Sequence, residues 1–265
     1  MGRVITLASG KGGVGKTSIT SNLGIALVQR GFKVLLVDAD VAMANLSLLL
    51  GMQSSPITLH DVLLGEANIR DATYDGPGGI HFIPSGLSLD SYRRADPERL
   101  ESVIATVAGE YDYILIDAPA GIEKTVLASL VAAREVLIIV TPDSPSVADA
   151  LKTKIVAERL NVHPIGIILN LVRNEKGEIK SEELMKMMEL PIYGIVPFDD
   201  EVRRSFLQEH VMPLVLRKPQ APAAIAIQRL AGKITGIVDD PVVKTNDQGL
   251  FASIINAIKK LFHSK

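Results

Sequence analysis

The segment Gly10-Lys11-Gly12-Gly13-Val14-Gly15-Lys16-Thr17 leaves this chain few ways to fold. A glycine, four residues and then Gly-Lys-Thr stand between an apolar run at 4–8 and a stretch of helical periodicity opening at Thr17. A glycine loop joining a strand to a helix turns successive backbone N–H groups toward phosphate oxygens, and the helix N-terminus adds a favourable dipole. Lys16 is placed to reach the β- and γ-phosphates of a nucleotide, and Thr17 to offer its hydroxyl to Mg²⁺. Gly12, Gly13, Val14, Gly15, Lys16, Thr17 and Ser18 are therefore the candidate nucleotide-binding residues. Lys11 is a second cation, early enough in the loop for its side chain to point away from it. In a monomer it is a solvated lysine. Facing a partner's nucleotide, it becomes a cation supplied in trans, a device that contributes roughly 10³–10⁵ in rate in GTPases.

The flanking pattern predicts the sheet that such a loop needs. Apolar runs at 4–8, 34–37, 81–83, 113–116, 136–140, 165–169 and 192–196 predict strands, several apolar at consecutive positions, as in parallel strands covered on both faces. Helical patterns lie at 17–31, 97–108, 123–134, 147–160, 181–188, 199–209 and 222–238, and 75–79, with Pro77, reads as a turn. The alternation predicts an α/β fold, a doubly wound and mostly parallel sheet. At 265 residues and 47% hydrophobic, the chain can build one such domain, over 1–238. Residues 239–249 (DDPVVKTNDQG) are polar, contain a proline and predict a flexible linker, followed by a distinct segment at 250–265.

Composition removes several chemistries. With no cysteine, disulfides, iron–sulfur clusters, thiolate zinc sites and thiol nucleophiles are excluded. His60, His81, His163, His210 and His263 are scattered without metal-ligand spacing. A net charge of −2 predicts no global attraction to nucleic acid. The run at 4–8 is too short for a signal segment, and no stretch approaches the roughly 20 apolar residues of a membrane span. The chain is expected to be made and kept in the cytoplasm.

The loop Lys11-Gly-Gly-Val-Gly-Lys-Thr17 resembles the deviant Walker A motif of the MinD/ParA group of ATPases. The resemblance extends over 1–238. Val37-Asp38-Ala39-Asp40 resembles that family's first switch, Asn45-Leu46 and Leu50-Gly51 follow as in MinD-like members, and Asp117-Ala118-Pro119-Ala120-Gly121 resembles the Walker B aspartate with the second switch. The pattern is most similar to that of archaeal MinD members. On position alone, Asp117 ends an apolar strand at the carboxyl edge where ligands bind, so its carboxylate can hold Mg²⁺ through a water. The resemblance implies that Asp40 positions or polarises the attacking water and that Asp38 supports the Mg²⁺ shell; a turn cap is the other reading of Asp38. It also implies contact with the adenine edge by Asn170 and with the purine by Pro197-Phe198-Asp199. No Asn-Lys-x-Asp guanine signature is present, so ATP is the expected substrate and Mg²⁺ the cofactor. The sequence departs from the family at Thr141-Pro142-Asp143, where relatives carry Asn-Pro-Glu, in a loop near the expected dimer face.

On a helix, Leu250, Phe251, Ile254, Ile255, Ile258, Leu261 and Phe262 fall within an arc of roughly 140°, with Lys259, Lys260, Ser253, Asn256 and His263 outside it. This amphipathic pattern after a linker predicts an interfacial membrane helix; a helix packed on its own domain or on a partner protein is the alternative. The expected function is a MinD-like ATPase that dimerises on ATP, associates peripherally with the cytoplasmic face of the membrane, and regulates division-site placement or the position of other proteins. Its expected partners are a second copy, the lipid surface and a regulatory or cargo protein, with nucleic acid not expected. The alternatives are a ParA-type partition ATPase and a flagellum- or pole-organising ATPase. Iron–sulfur scaffold ATPases and nitrogenase-type reductases share the loop but need cysteines.

Overall fold

The apolar run at the start of the chain becomes β1 (Arg3–Ser9), which lies inside the sheet and is buried from Ile5 to Ser9. The computed structural model describes residues 2–40, 45–52, 55–86, 96–205, 207 and 211–237; the predicted linker and terminal segment lie outside the described residues. The remaining strands are β2 (Val34–Asp38), β3 (Tyr74–Asp75), β4 (His81–Ile83), β5 (Tyr113–Ala120), β6 (Glu135–Val140), β7 (His163–Val172) and β8 (Ile192–Pro197). They form one sheet in the order β3-β4-β2-β5-β1-β6-β7-β8. Every pairing is parallel except that of β3 with β4. Each predicted strand is present. The difference is β3 with the 3-10 turn Pro77–Gly79, where only a turn was expected. A two-residue strand is too short to show any alternation.

Successive side chains of a strand point to opposite faces, and the core is divided accordingly. In β6, Leu137 and Ile139 join the layer formed by α1 (Lys16–Val28), while Val136, Ile138 and Val140 meet the opposite one. Burying each such Leu or Ile contributes about 1.5–3 kcal/mol. Short helices α2 (Asn45–Leu49), α3 (Leu59–Leu64) and α4 (Leu100–Ala105) follow, then α5 (Lys124–Ala133), α6 (Ser144–Arg159), α7 (Ser181–Met188), α8 (Asp200–Ser205), α9 (Leu214–Arg217) and α10 (Pro222–Thr235). α1 and α10 cover one face, with Leu23, Leu27, Ile227 and Leu230 buried against it. On the other face Val62, Leu63, Leu100 and Ile104 meet Ile114 and Ile116. Among the described residues no helix is long and apolar enough to cross a membrane.

α8 carries an ionic hub that ties it to the end of α9. The Glu201 carboxylate lies 2.7 Å from Arg204, 3.0 Å from Arg217 and 3.0 Å from Lys218. The hydrogen bond from Lys218, joined by those from Arg217 and Arg204, lowers the Glu201 pKa from 4.5 to about 2 against the effect of burial. A depressed carboxyl pKa contributes stability that is present above the unfolded value and is lost as pH falls through the folded one. Glu201→Gln is expected to melt below the wild type at pH 7, and the gap should close between pH 4.5 and about 2. Melting curves across that range check it; a gap independent of pH would show that the charge of Glu201 contributes nothing.

Candidate nucleotide-binding site

β1 lies between β5 and β6, so the loop at its carboxyl end sits where strand order turns outward in both directions, the crevice in which open α/β sheets bind ligands. The loop reaches α1 through Gly13 (φ +80) and Gly15 (φ +86), left-handed conformations that favour glycine. Gly15 has a second constraint: an added Cβ would lie 2.4 Å from Nδ2 of Asn170. At Gly12 and Gly13 an added Cβ meets nothing within 4 Å, so the outer side of the loop is open. α1 begins at Lys16, and the first N–H groups of a helix have no intrahelical acceptor. Ser18 lies in that first turn, its carbonyl accepting from Asn22 at 2.8 Å.

Beneath the loop lies a buried charge cluster. Nζ of Lys16 is 2.8 Å from Oδ1 of Asp117, and the two residues are 7% and 1% exposed. Thr20 donates to the same oxygen at 3.0 Å. Oδ2 of Asp117 is buried and has no hydrogen-bond partner. Asp38, fully buried, stands beside Asp117 in the register of β2 and β5. Its two oxygens accept from the backbone N–H groups of Asp40 (3.1 Å) and Leu46 (3.2 Å), so its geometry is that of a turn cap. Burial, and then the charge of Asp117, push its carboxyl well above the usual carboxylate range.

The buried Asp117 carboxylate faces one ammonium, and its orphaned oxygen is a place for the hydration shell of a further cation. Among the described residues no three acidic or histidine side chains cluster as a closed metal cage. Mg²⁺ uses one or two carboxylates together with phosphate and water oxygens. The residues present thus fit a Mg-nucleotide, with the Asp117 oxygen unpartnered and Thr17 in the first turn of α1.

The other predicted residues divide. Asp40 is half-buried and its carbonyl accepts from Ser85 at 2.9 Å; residues 41–44 beyond it lie outside the described residues. The ammonium of Lys11 is 2.9 Å from Asp143, in the loop that follows β6. Burial raises the Asp143 pKa, but hydrogen bonds from Thr141, Lys11 and the Ser146 N–H outweigh it and leave the group below its ordinary value. Asn170 is buried and its amide nitrogen donates to the Val14 carbonyl at 2.7 Å. Asp199 accepts from the N–H groups of Glu201 (2.9 Å) and Ala223 (3.1 Å). Pro197 ends β8, and Phe198 follows it under the guanidinium of Arg173. A cleft of about 360 Å³ opens beside the loop, lined by Gly12, Gly13, Val14, Pro142, Leu171 and Arg173 among others. Sequence reasoning passed over Arg173 and Thr20. Neither belongs to a motif, and only folding brings them to the site.

The model of the CobQ/CobB/MinD/ParA nucleotide binding domain matches residues 5–212. The chain belongs to this family. It is 41% identical over 258 residues to an uncharacterized ATP-binding protein of Methanocaldococcus jannaschii, covering 97% of both chains. The structure of the Pyrococcus furiosus cell division ATPase MinD superposes with a TM-score of 0.85 at 37% identity, covering 89% of this chain and 100% of that one. The septum site-determining protein MinD of Pyrococcus horikoshii, in complex with Mg-ADP, does so with a TM-score of 0.85 at 36% identity, covering 91% and 100%. The chain is thus a member of the MinD/ParA family of nucleotide-binding ATPases.

Proposed function

We propose that this protein is a MinD-like ATPase: it binds Mg-ATP, dimerises in doing so, and is drawn to the cytoplasmic face of the membrane by residues 250–265. Its hydrolysis reverses both steps, and the cycle regulates division-site placement or positions other proteins. The observation that carries the reading is the buried Lys16–Asp117 pair directly beneath an open glycine loop. In this reading Lys16 exchanges its carboxylate partner for phosphate oxygens, the loop N–H groups orient the phosphates, and Thr17 would offer its hydroxyl to Mg²⁺. Bound Mg²⁺ supplies charge neutralisation on the transferred phosphoryl group. Asp40 positions or polarises the attacking water. Lys11 of one protomer leaves Asp143 to reach the nucleotide of the other. One amphipathic helix binds a membrane weakly, since stable anchoring takes two signals, whereas a dimer brings two helices at once.

Deleting 250–265 removes seven apolar side chains from the proposed lipid-facing arc and three lysines. The truncated protein is expected to hydrolyse ATP without lipid at the wild-type rate. Its ATP-dependent sedimentation with anionic liposomes should be lost. Side-by-side sedimentation with liposomes and with DNA, in ATP and in ADP, tests this. A deletion that sharply lowers the melting temperature would mean that the segment packs on its own domain. Retention on DNA but not on liposomes would replace the membrane reading with the partition one.

A further inference from the structure

The side chains that the family resemblance assigns to the purine are in good part engaged inside the fold. The Asn170 amide nitrogen is bonded to Val14, and both carboxylate oxygens of Asp199 cap backbone N–H groups. Phe198 instead supports an arginine: the guanidinium carbon of Arg173 stands 3.4 Å from the Phe198 ring centroid.

The segment bearing Arg173 is tightly specified. Glu178 accepts from the backbone N–H of Arg173 at 3.0 Å and from that of Asn174 at 2.9 Å. Phe198 N–H donates to the Val172 carbonyl at 2.8 Å, which ties the two loops together, and Ile179 N–H donates to Pro142 at 3.0 Å. Within this clamp Leu171 and Asn174 both hold φ of +59°. Non-glycine residues persist in that conformation where surrounding bonds over-determine it, and they cluster at ligand clamps. The Arg173 side chain is exposed, has no carboxylate partner among the described residues, and lines the cleft that starts at Gly12 and Gly13. A guanidinium with one face on a phenyl ring keeps its other face for a second planar π system.

We propose that Arg173, held over the ring of Phe198, is a base-contacting residue of this protein and stacks on the purine ring of the nucleotide. The inference rests on the nucleotide-binding reading above and adds its specificity. A bicyclic purine offers more face to a guanidinium than a pyrimidine does, so stacking selects ring size, whereas the glycine loop selects phosphate.

The test is calorimetric binding of Mg-ATP, Mg-CTP and Mg-tripolyphosphate to the full chain. Wild type should bind ATP more tightly than CTP. Arg173→Ala should weaken ATP about tenfold and leave tripolyphosphate unchanged, so that the preference for ATP over CTP collapses. Arg173→Lys keeps the charge and loses the plane, and should not restore ATP affinity; Phe198→Leu should weaken ATP severalfold by removing the support. Unchanged ATP affinity in Arg173→Ala, an equal loss for ATP and tripolyphosphate, or full restoration by lysine overturns the stacking role and leaves the phosphate site standing. A wild type that binds neither ATP nor tripolyphosphate overturns the nucleotide reading as well.

Discussion

Lys16→Ala is expected to abolish ATP turnover and to weaken the fold of the ligand-free protein. The first effect follows from losing the cation at the β- and γ-phosphates. The second follows from burial. Lys16 is the ammonium paired with Asp117, so the variant leaves that buried carboxylate without its cation, with the Asp38 carboxyl alongside. Removing one partner of a buried ion pair costs about 3–5 kcal/mol because the other charge stays desolvated. Phosphate release and the urea midpoint should therefore fall together. Near-normal hydrolysis in the variant would mean that the loop is not the catalytic site. An unchanged midpoint with activity lost would mean that the aspartates take up protons at no cost.

Lys11→Ala should show the opposite division: little change in stability, retained nucleotide binding, and turnover reduced by about 10³-fold or more. The Lys11–Asp143 pair is only partly covered, with side chains 35% and 44% exposed, and ion pairs this exposed contribute little. Lys11 can leave Asp143 cheaply, as a cation destined for a partner's nucleotide must. The decisive measurement is specific activity against protein concentration, from well below to well above the dimer dissociation constant. Wild-type activity should climb and the variant should stay flat. A wild type whose specific activity is independent of concentration would falsify the trans role.

The glycine loop, the strands and their parallel arrangement were legible because each follows from a local pattern: consecutive apolar residues, turn glycines, and an aspartate at a strand end. α6 shows where periodicity misleads. Its apolar repeat begins at Val147, but the helix starts at Ser144 because Asp143 accepts from Ser146 N–H and Pro145 suits the first turn. α2, α3 and α9 are too short to carry a repeat at all. Asp38 shows the limit for the site. Its position beside Asp117 followed from two strand ends, but its two backbone bonds depend on how the chain turns into α2. The engagement of Asn170 with Val14, and the stack of Arg173 on Phe198, join residues from different β-α units, and no spacing rule connects them.

Those long connections set an order of events during synthesis. Lys16 meets Asp117 across 101 positions, Lys11 meets Asp143 across 132, and Asn170 meets Val14 across 156. The lysine of the phosphate loop lacks its paired carboxylate until β5 has followed, and Val14 lacks its bond to Asn170 until the end of β7 has joined the sheet. A nascent chain cut short before Asn170 carries every loop glycine and still lacks the contact that holds Val14. Competence to grip a nucleotide therefore arrives late, as a property of the finished sheet rather than of the motif that announces it.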